Sequence, residues 1–125
     1  MDKSKLLRYV YLAVLLAGIF ALVSSGPLTA KADEEPRVID ITAKRFTFIP
    51  DQITIKKGET VKLELKSEDV THGFFMRALK IDELIEPGKT TEVTLTPQTA
   101  GTYTTICDHF CGVNHGSMKM TIVVE

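Results

Sequence analysis

The stretch Cys107-Asp108-His109-Phe110-Cys111-Gly112-Val113-Asn114-His115-Gly116-Ser117-Met118 brings two thiols, two imidazoles and one thioether together within twelve residues. It contains both cysteines of the chain and two of its three histidines. Sulfur and imidazole together form a ligand set for transition metals, and the thioether favours copper because zinc sites rarely use methionine. The stretch therefore predicts a copper-binding loop, which the rest of the chain is expected to hold in place.

A disulfide between Cys107 and Cys111 is the alternative interpretation of the two cysteines. Exported proteins usually join paired thiols. Here the bond would enclose only three residues, so it would restrain the unfolded chain little. The nearby His115 and Met118 favour metal binding instead.

The N-terminal segment has the pattern of an export signal. Residues 9–30 carry no charge and follow three basic residues. Ala30-Lys31-Ala32, at the end of this stretch, is typical of a cleavage site. The uncharged stretch is also long enough to cross a bilayer, so residues 1–32 are expected to be a signal peptide or a single membrane anchor through 9–30. Because the basic residues stay on the cytoplasmic side, both alternatives predict an exported domain, in the periplasm or on the outer face of the cytoplasmic membrane.

The charge of the remaining chain limits its partners. Residues 33–36, Asp-Glu-Glu-Pro, form a charged linker, and the folded domain is expected to span 37–125. Removing residues 1–32 takes away four of the 15 basic and one of the 16 acidic residues, which leaves an excess of four negative charges. No cluster of basic residues remains, so no nucleic acid partner is expected, whereas a lysine-rich redox protein could be attracted to an acidic surface.

Apolar and polar residues alternate across 37–125 with the period of two that is typical of half-buried strands. The pattern predicts strands at 39–44, 53–56, 61–66, 92–96, 102–106 and 118–124, separated by turns at 49–51, 56–59, 86–89 and 97–101. Such short strands predict an all-β fold, a small antiparallel sandwich or barrel without a long helix. Met118 begins the last strand on the face of Met120 and Ile122, so its side chain is expected to point inward.

The spacing of the ligand-type residues resembles a known family. Cys-x3-Cys-x3-His-x2-Met from Cys107 to Met118, preceded at a distance by Val70-Thr71-His72, is similar to the dinuclear copper (CuA) domain of cytochrome c oxidase subunit II and of nitrous-oxide reductase. The resemblance extends over about the whole of 37–125. It includes 46–58, which is similar to the family's first strand and turn, and 86–89, which is similar to the turn before its last strands.

The resemblance implies a cupredoxin-like Greek-key sandwich or barrel that holds two copper ions. In that family two thiolates bridge both ions, each imidazole binds one ion, and a thioether and a backbone carbonyl are weak ligands. The implied ligands of this chain are His72, Cys107, the backbone carbonyl of His109, Cys111, His115 and Met118. His72 and Met118 would share one ion.

Such a centre implies one-electron transfer, with no catalysis by this chain alone. The chain would be either the subunit through which electrons enter a respiratory terminal oxidase or a freestanding exported carrier. The implied partners are a cytochrome c-like or another small electron donor and, in an oxidase, a haem-copper catalytic subunit. A single hydrophobic segment, the absence of tryptophan, and His109 where many members have glutamate differ from the common pattern of subunit II. These differences concern docking to an oxidase more than copper binding.

Other interpretations of the loop stay open. A mononuclear copper site could use His72, Cys111, His115 and Met118, but Cys107 would then have no role. A copper-delivery protein could use the same loop without transferring electrons. A structural zinc site is the weakest alternative, because the strands already provide a core and zinc would leave Met118 unused.

The other side chains of the loop and its surroundings are expected to have ordinary roles. Phe74, Phe75 and Phe110 are expected to pack in the core or against the wall of the site. Asp108 and the side chain of His109 are expected to face solvent.

Overall fold

The computed structural model describes residues 2–20 and 34–125. It contains two compact units, Met1–Glu34 and Glu35–Glu125. In the first unit the helix α1 spans Lys3–Phe20, within the segment that is expected to be a signal peptide or an anchor. Within the described residues, no helix has both the length and the apolar character needed to cross a membrane. The predicted cleavage site at Ala30-Lys31-Ala32 lies outside the described residues, so the signal peptide and the anchor stay predictions.

The second unit is built of β-strands and two short 3-10 turns, Arg77–Leu79 and His115–Ser117. Its strands are β1 (Arg37–Lys44), β2 (Thr47–Ile49), β3 (Gln52–Ile55), β4 (Val61–Ser67), β5 (His72–Met76), β6 (Ile81–Ile85), β7 (Thr90–Leu95), β8 (Gly101–Ile106) and β9 (Lys119–Val124). The predicted strands are all present. The pattern did not predict β2, β5 and β6. His72 follows β4, which ends at Ser67, and is the first residue of β5.

The strands form two sheets that pack as a sandwich. One sheet has the order β2-β1-β4-β7, and the other has the order β3-β9-β8-β5-β6. The all-β sandwich is thus confirmed. The prediction that it is antiparallel is wrong for two pairs, β1 with β4 and β3 with β9, which are parallel. Between β1 and β4 the chain passes through β3 in the other sheet and returns in the original direction, which a hairpin cannot do.

The inward faces of the two sheets form the apolar core. In β4 the alternate residues Val61, Leu63 and Leu65 are completely buried, as the period of two predicts. Phe48 and Phe74 meet edge to face, with ring centroids 5.6 Å apart and planes at 89°. Burying an aliphatic or aromatic side chain of this size contributes about 1.5–3 kcal/mol, so the sheets supply most of the stability.

Two predicted turns have the backbone that glycine favours. Gly58 and Gly88 have φ angles of 78° and 76°, in the left-handed region. Glycine reaches this region without the strain that a Cβ atom would cause. The turns at 56–59 and 86–89 are therefore explained by their glycines.

Candidate metal centre

The topology brings the ligand loop and His72 to the same end of one sheet. The loop 107–118 connects β8 to β9, and these two strands pair antiparallel along their whole length. The N–H of Cys107 donates to the carbonyl of Met118 at 3.1 Å, so the ladder continues into the loop. His72 begins β5, which pairs with β8 on its other side. Adjacent strands thus position both ligand-bearing segments.

Three side chains form a compact group of potential metal ligands. The ligand atoms of His72, Cys107 and Cys111 all lie within 4.8 Å of one another, and all three residues are buried. The two Sγ atoms are 3.6 Å apart, and His72 Nδ1 lies 4.0 Å from the Sγ of Cys107. Both cysteines are free. Two thiols and an imidazole facing one point form the soft donor set that copper prefers.

The other predicted ligands also belong to this end of the domain. The thiol of Cys107 donates to the backbone carbonyl of His109 at 3.1 Å, so this oxygen lies at the site. Met118, which directly precedes β9, is completely buried on the same face as Met120, as its parity predicts. His115 lies in the 3-10 turn at the end of the loop, outside the 4.8 Å group.

His115 has a ring nitrogen that fits a metal ligand. Within residues 2–20 and 34–125, its Nδ1 is buried and has no hydrogen-bond partner. Its ring meets Phe110 edge to face, with centroids 5.4 Å apart. A buried polar nitrogen without a partner is costly, and coordination of a metal would satisfy it. The residues present at this site therefore fit copper.

A carboxylate orients His72. Its Nε2 lies 2.7 Å from Asp69 Oδ1, while Nδ1 faces Cys107. Burial would raise the pKa of Asp69, but the N–H of Arg45, the ring of His72 and the N–H of Val70 outweigh it and lower the pKa to about 2. Asp69 is therefore a carboxylate that holds one nitrogen of the ring and directs the other into the site, as histidine ligands of metals commonly require.

The surroundings of the thiols also bear on metal binding. Burial, together with the adjacent Cys107, raises the pKa of Cys111 to about 11. The N–H of Gly73 donates a hydrogen bond to the Sγ of Cys107 at 3.4 Å. The thiol of Cys111 is thus protonated at neutral pH without metal, and a bound cation would take the place of its proton.

Two glycines allow the loop to approach its neighbours. A Cβ atom at Gly73 would collide with a carboxylate oxygen of Asp108 and lie 2.7 Å from the N of His109. At Gly112, where φ is 144°, it would lie 2.8 Å from the ring of Phe46. The sequence did not predict these roles. The sequence shows that Gly73 follows the predicted ligand His72, but it does not show that Gly73 contacts the loop.

The tip of the loop is exposed. Phe110 is 70% exposed and Val113 is 93% exposed. The prediction that Phe110 packs in the core or against the site is therefore wrong for most of its surface, although one edge of its ring meets His115. Asp108 and His109 are exposed, as expected.

Comparisons with known proteins agree with this geometry. Residues 12–124 match the family described as "Cupredoxin-like domain". Cytochrome c oxidase subunit 2 of Thermus thermophilus is 30% identical over 105 residues, which cover 84% of this chain and 73% of that protein. The chain is a cupredoxin-like domain of the cytochrome c oxidase subunit II family. The resemblance inferred from the ligand spacing is therefore confirmed.

Two further relatives of the cupredoxin domain are a nitrous-oxide reductase and a solved structure. The nitrous-oxide reductase of Cupriavidus necator is 32% identical over 91 residues, which cover 70% of this chain but only 14% of that enzyme. The crystal structure of the periplasmic domain of subunit II of cytochrome oxidase from Bradyrhizobium japonicum has a TM-score of 0.68 at 17% identity. The match covers 74% of this chain and 86% of that one. The structural similarity supports the fold alone.

Proposed function

We propose that the cupredoxin domain carries single electrons through a dinuclear copper centre of the CuA type. One observation carries this proposal: two buried thiols, Cys107 and Cys111, lie 3.6 Å apart beside an imidazole. A mononuclear site needs one thiolate, whereas two bridging thiolates are what a copper pair requires. The distance between the sulfurs supports the second arrangement.

Each predicted ligand has a role in this proposal. Two thiolates, two imidazoles, one thioether and one backbone carbonyl would hold the copper ions. These residues are, in chain order, His72, Cys107, His109 through its carbonyl, Cys111, His115 and Met118. Copper bound here would supply one-electron redox chemistry.

The chain's own contribution is a stiff and dry environment. Burial of His72, Cys107 and Cys111 excludes water from the site. Asp69 fixes the ring of His72, and the paired strands β8 and β9 fix both ends of the loop. A site that changes shape little when an electron arrives exchanges electrons readily, and the hydrogen bonds around its sulfurs adjust the potential.

The wider role is part of the same proposal. The relatives named cytochrome c oxidase subunit 2 support a place in a respiratory oxidase, as the subunit that receives electrons from a cytochrome c-like donor and passes them to a haem-copper subunit. A freestanding carrier would use the same centre. Residues 1–32 would export the domain, as a cleaved signal or as an anchor, and 37–125 would fold outside the cytoplasm.

Replacing Cys107 with serine tests the proposal. In a bridged pair the variant loses the second copper and the visible spectrum of the wild type, because one sulfur cannot hold both ions. The measurements are copper content per chain and the absorption spectrum of the variant, with Ser117→Ala, an exposed position on the same loop, as the control. A variant that keeps the wild-type copper content and colour would contradict the dinuclear centre and favour a mononuclear one.

A further inference from the structure

The turn between β1 and β2 reaches both segments that carry ligands. The Nε of Arg45 donates to the backbone carbonyl of Cys111 at 2.8 Å. The backbone N–H of the same residue donates to Asp69 Oδ2 at 2.8 Å, and the other oxygen of Asp69 lies 2.7 Å from the ring of His72. One residue thus connects the thiol loop to the histidine segment.

The hydrogen bond from Arg45 links the middle of the loop to the rest of the domain. Among the described residues 2–20 and 34–125, the bond from Arg45 is the single hydrogen bond that joins 108–114 to a residue outside the loop. The bonds at the end of the loop, from His115 to Gly112 and from Ser117 to Asn114, are local. Arg45 therefore supplies the hydrogen bond that ties the backbone of Cys111 to the rest of the domain.

Packing reinforces the same contact. The ring of Phe46 lies against Gly112, where an added Cβ atom would be 2.8 Å away. Arg45 and Phe46 thus touch two consecutive residues of the loop, one through a polar bond and one through van der Waals contact. A turn from one sheet supports a loop that extends from the other.

We propose that Arg45 is a positioning residue of the metal centre, which holds Cys111 beside Cys107 through the Cys111 carbonyl and places a fixed positive charge next to the site. The guanidinium group of arginine is a delocalised positive charge. A cation at this position disfavours the oxidised state of the centre, which carries one more positive charge, and so raises the reduction potential. This inference deepens the proposed function and rests on it for the copper-loaded state, whereas the holding of the loop does not depend on copper.

Two substitutions separate the hydrogen bond from the charge. Arg45→Met removes both, and Arg45→Lys keeps the charge but loses the Nε donor. Neither substitution removes the backbone N–H of residue 45 that binds Asp69, so the support of His72 is retained. Lys44→Met is the matched control, because it also removes one positive charge from the neighbouring position, where the lysine meets Glu68 at 4.0 Å.

The first measurement uses the full chain without copper. A disulfide reagent that reacts with free thiols should modify Cys107 and Cys111 about tenfold faster in Arg45→Met and Arg45→Lys than in the wild type, the factor expected for the loss of one hydrogen bond. Lys44→Met should react at the wild-type rate. Circular dichroism and the melting temperature establish that all variants are folded.

The second measurement is the reduction potential of the copper-loaded chain. It should fall in Arg45→Met and fall less in Arg45→Lys, while Lys44→Met stays near the wild type. Wild-type thiol rates in both Arg45 variants would overturn the positioning role, whatever the copper content. Equal potentials in Arg45→Met and Lys44→Met would overturn the role of the charge. Failure of the wild type to bind two coppers would instead contradict the proposed function, and the thiol rates would still test Arg45.

Discussion

The sandwich and the loop at its end are held by different forces. In β4 and β9 alternate residues are buried between two sheets, and Leu63 and Ile122 have no exposed surface. The tip of the loop is mostly exposed, with Val113 at 93%, and it is held by a few polar contacts and by glycines that allow close approach. Stability therefore resides in the sheets and metal chemistry in the loop, so each can be damaged with limited effect on the other.

The largest expected effect on stability comes from the sandwich. Phe74→Ala should lower the free energy of unfolding by about 3–5 kcal/mol, because it opens a cavity where the ring is completely buried against Phe48. Urea denaturation of the apo chain measures this. A loss as small as that of an exposed substitution would contradict the assignment of stability to the core.

Gly73→Ala changes the contact between β5 of the sandwich and the loop. The new methyl group would collide with Asp108 and approach the N of His109, so the loop must move away from β5. We expect a loss of about 1–3 kcal/mol, typical of overpacking, together with weaker copper binding. Gly116→Ala is the control, because nothing lies within 4 Å of its Cβ position. Equal effects of the two substitutions would show that the close approach at Gly73 has no importance.

Asp69→Asn should affect metal binding more than the stability of the fold. The amide can still accept hydrogen bonds from the backbone, but it lacks the negative charge that orients His72. Copper affinity should fall by about 10–100-fold. Competition with a chelator of known affinity measures the change, and Glu68→Gln, an exposed neighbour, is the control. Unchanged affinity would mean that Asp69 does not support the ligand.

The smallest effect is expected at the tip of the loop. Val113→Ser should change the free energy of unfolding by less than about 0.5 kcal/mol, because the side chain is 93% exposed. Copper content should also stay the same. Denaturation and metal analysis of the variant test both statements, and a large loss of stability would place Val113 in a packed environment that the structure does not have.

The same contrast explains what the sequence could predict of the fold. The alternation in β4 and β9 is visible because one face of each strand is buried and the other is not. In β5 four of five residues are buried, and in β6 only the two end residues are, so neither strand shows a period of two. The three residues of β2 are too few for a pattern. The parallel pairs depend on how the chain crosses between sheets, which no local pattern contains.

In the candidate metal centre, the ligand-type residues could be predicted from the sequence and the residues that support them could not. The ligand-type residues were predictable because their chemistry and spacing lie in one short segment, with His72 added by the family resemblance. Asp69, Gly73 and Arg45 were not predicted as part of the site. Arg45 is 66 residues from Cys111 and 24 from Asp69, and an arginine at a turn has no pattern that indicates such contacts. Residues that support ligands can be recognised only in the folded structure, where distant segments of the chain come into contact.

Electron paramagnetic resonance of the copper-loaded chain, with copper counted on the same sample, tests the central claim most directly. A dinuclear centre would give about two coppers per chain and a hyperfine pattern from one unpaired electron shared equally by two copper nuclei. One copper per chain with the pattern of a single nucleus would contradict the dinuclear centre and leave Cys107 without a role as a bridge.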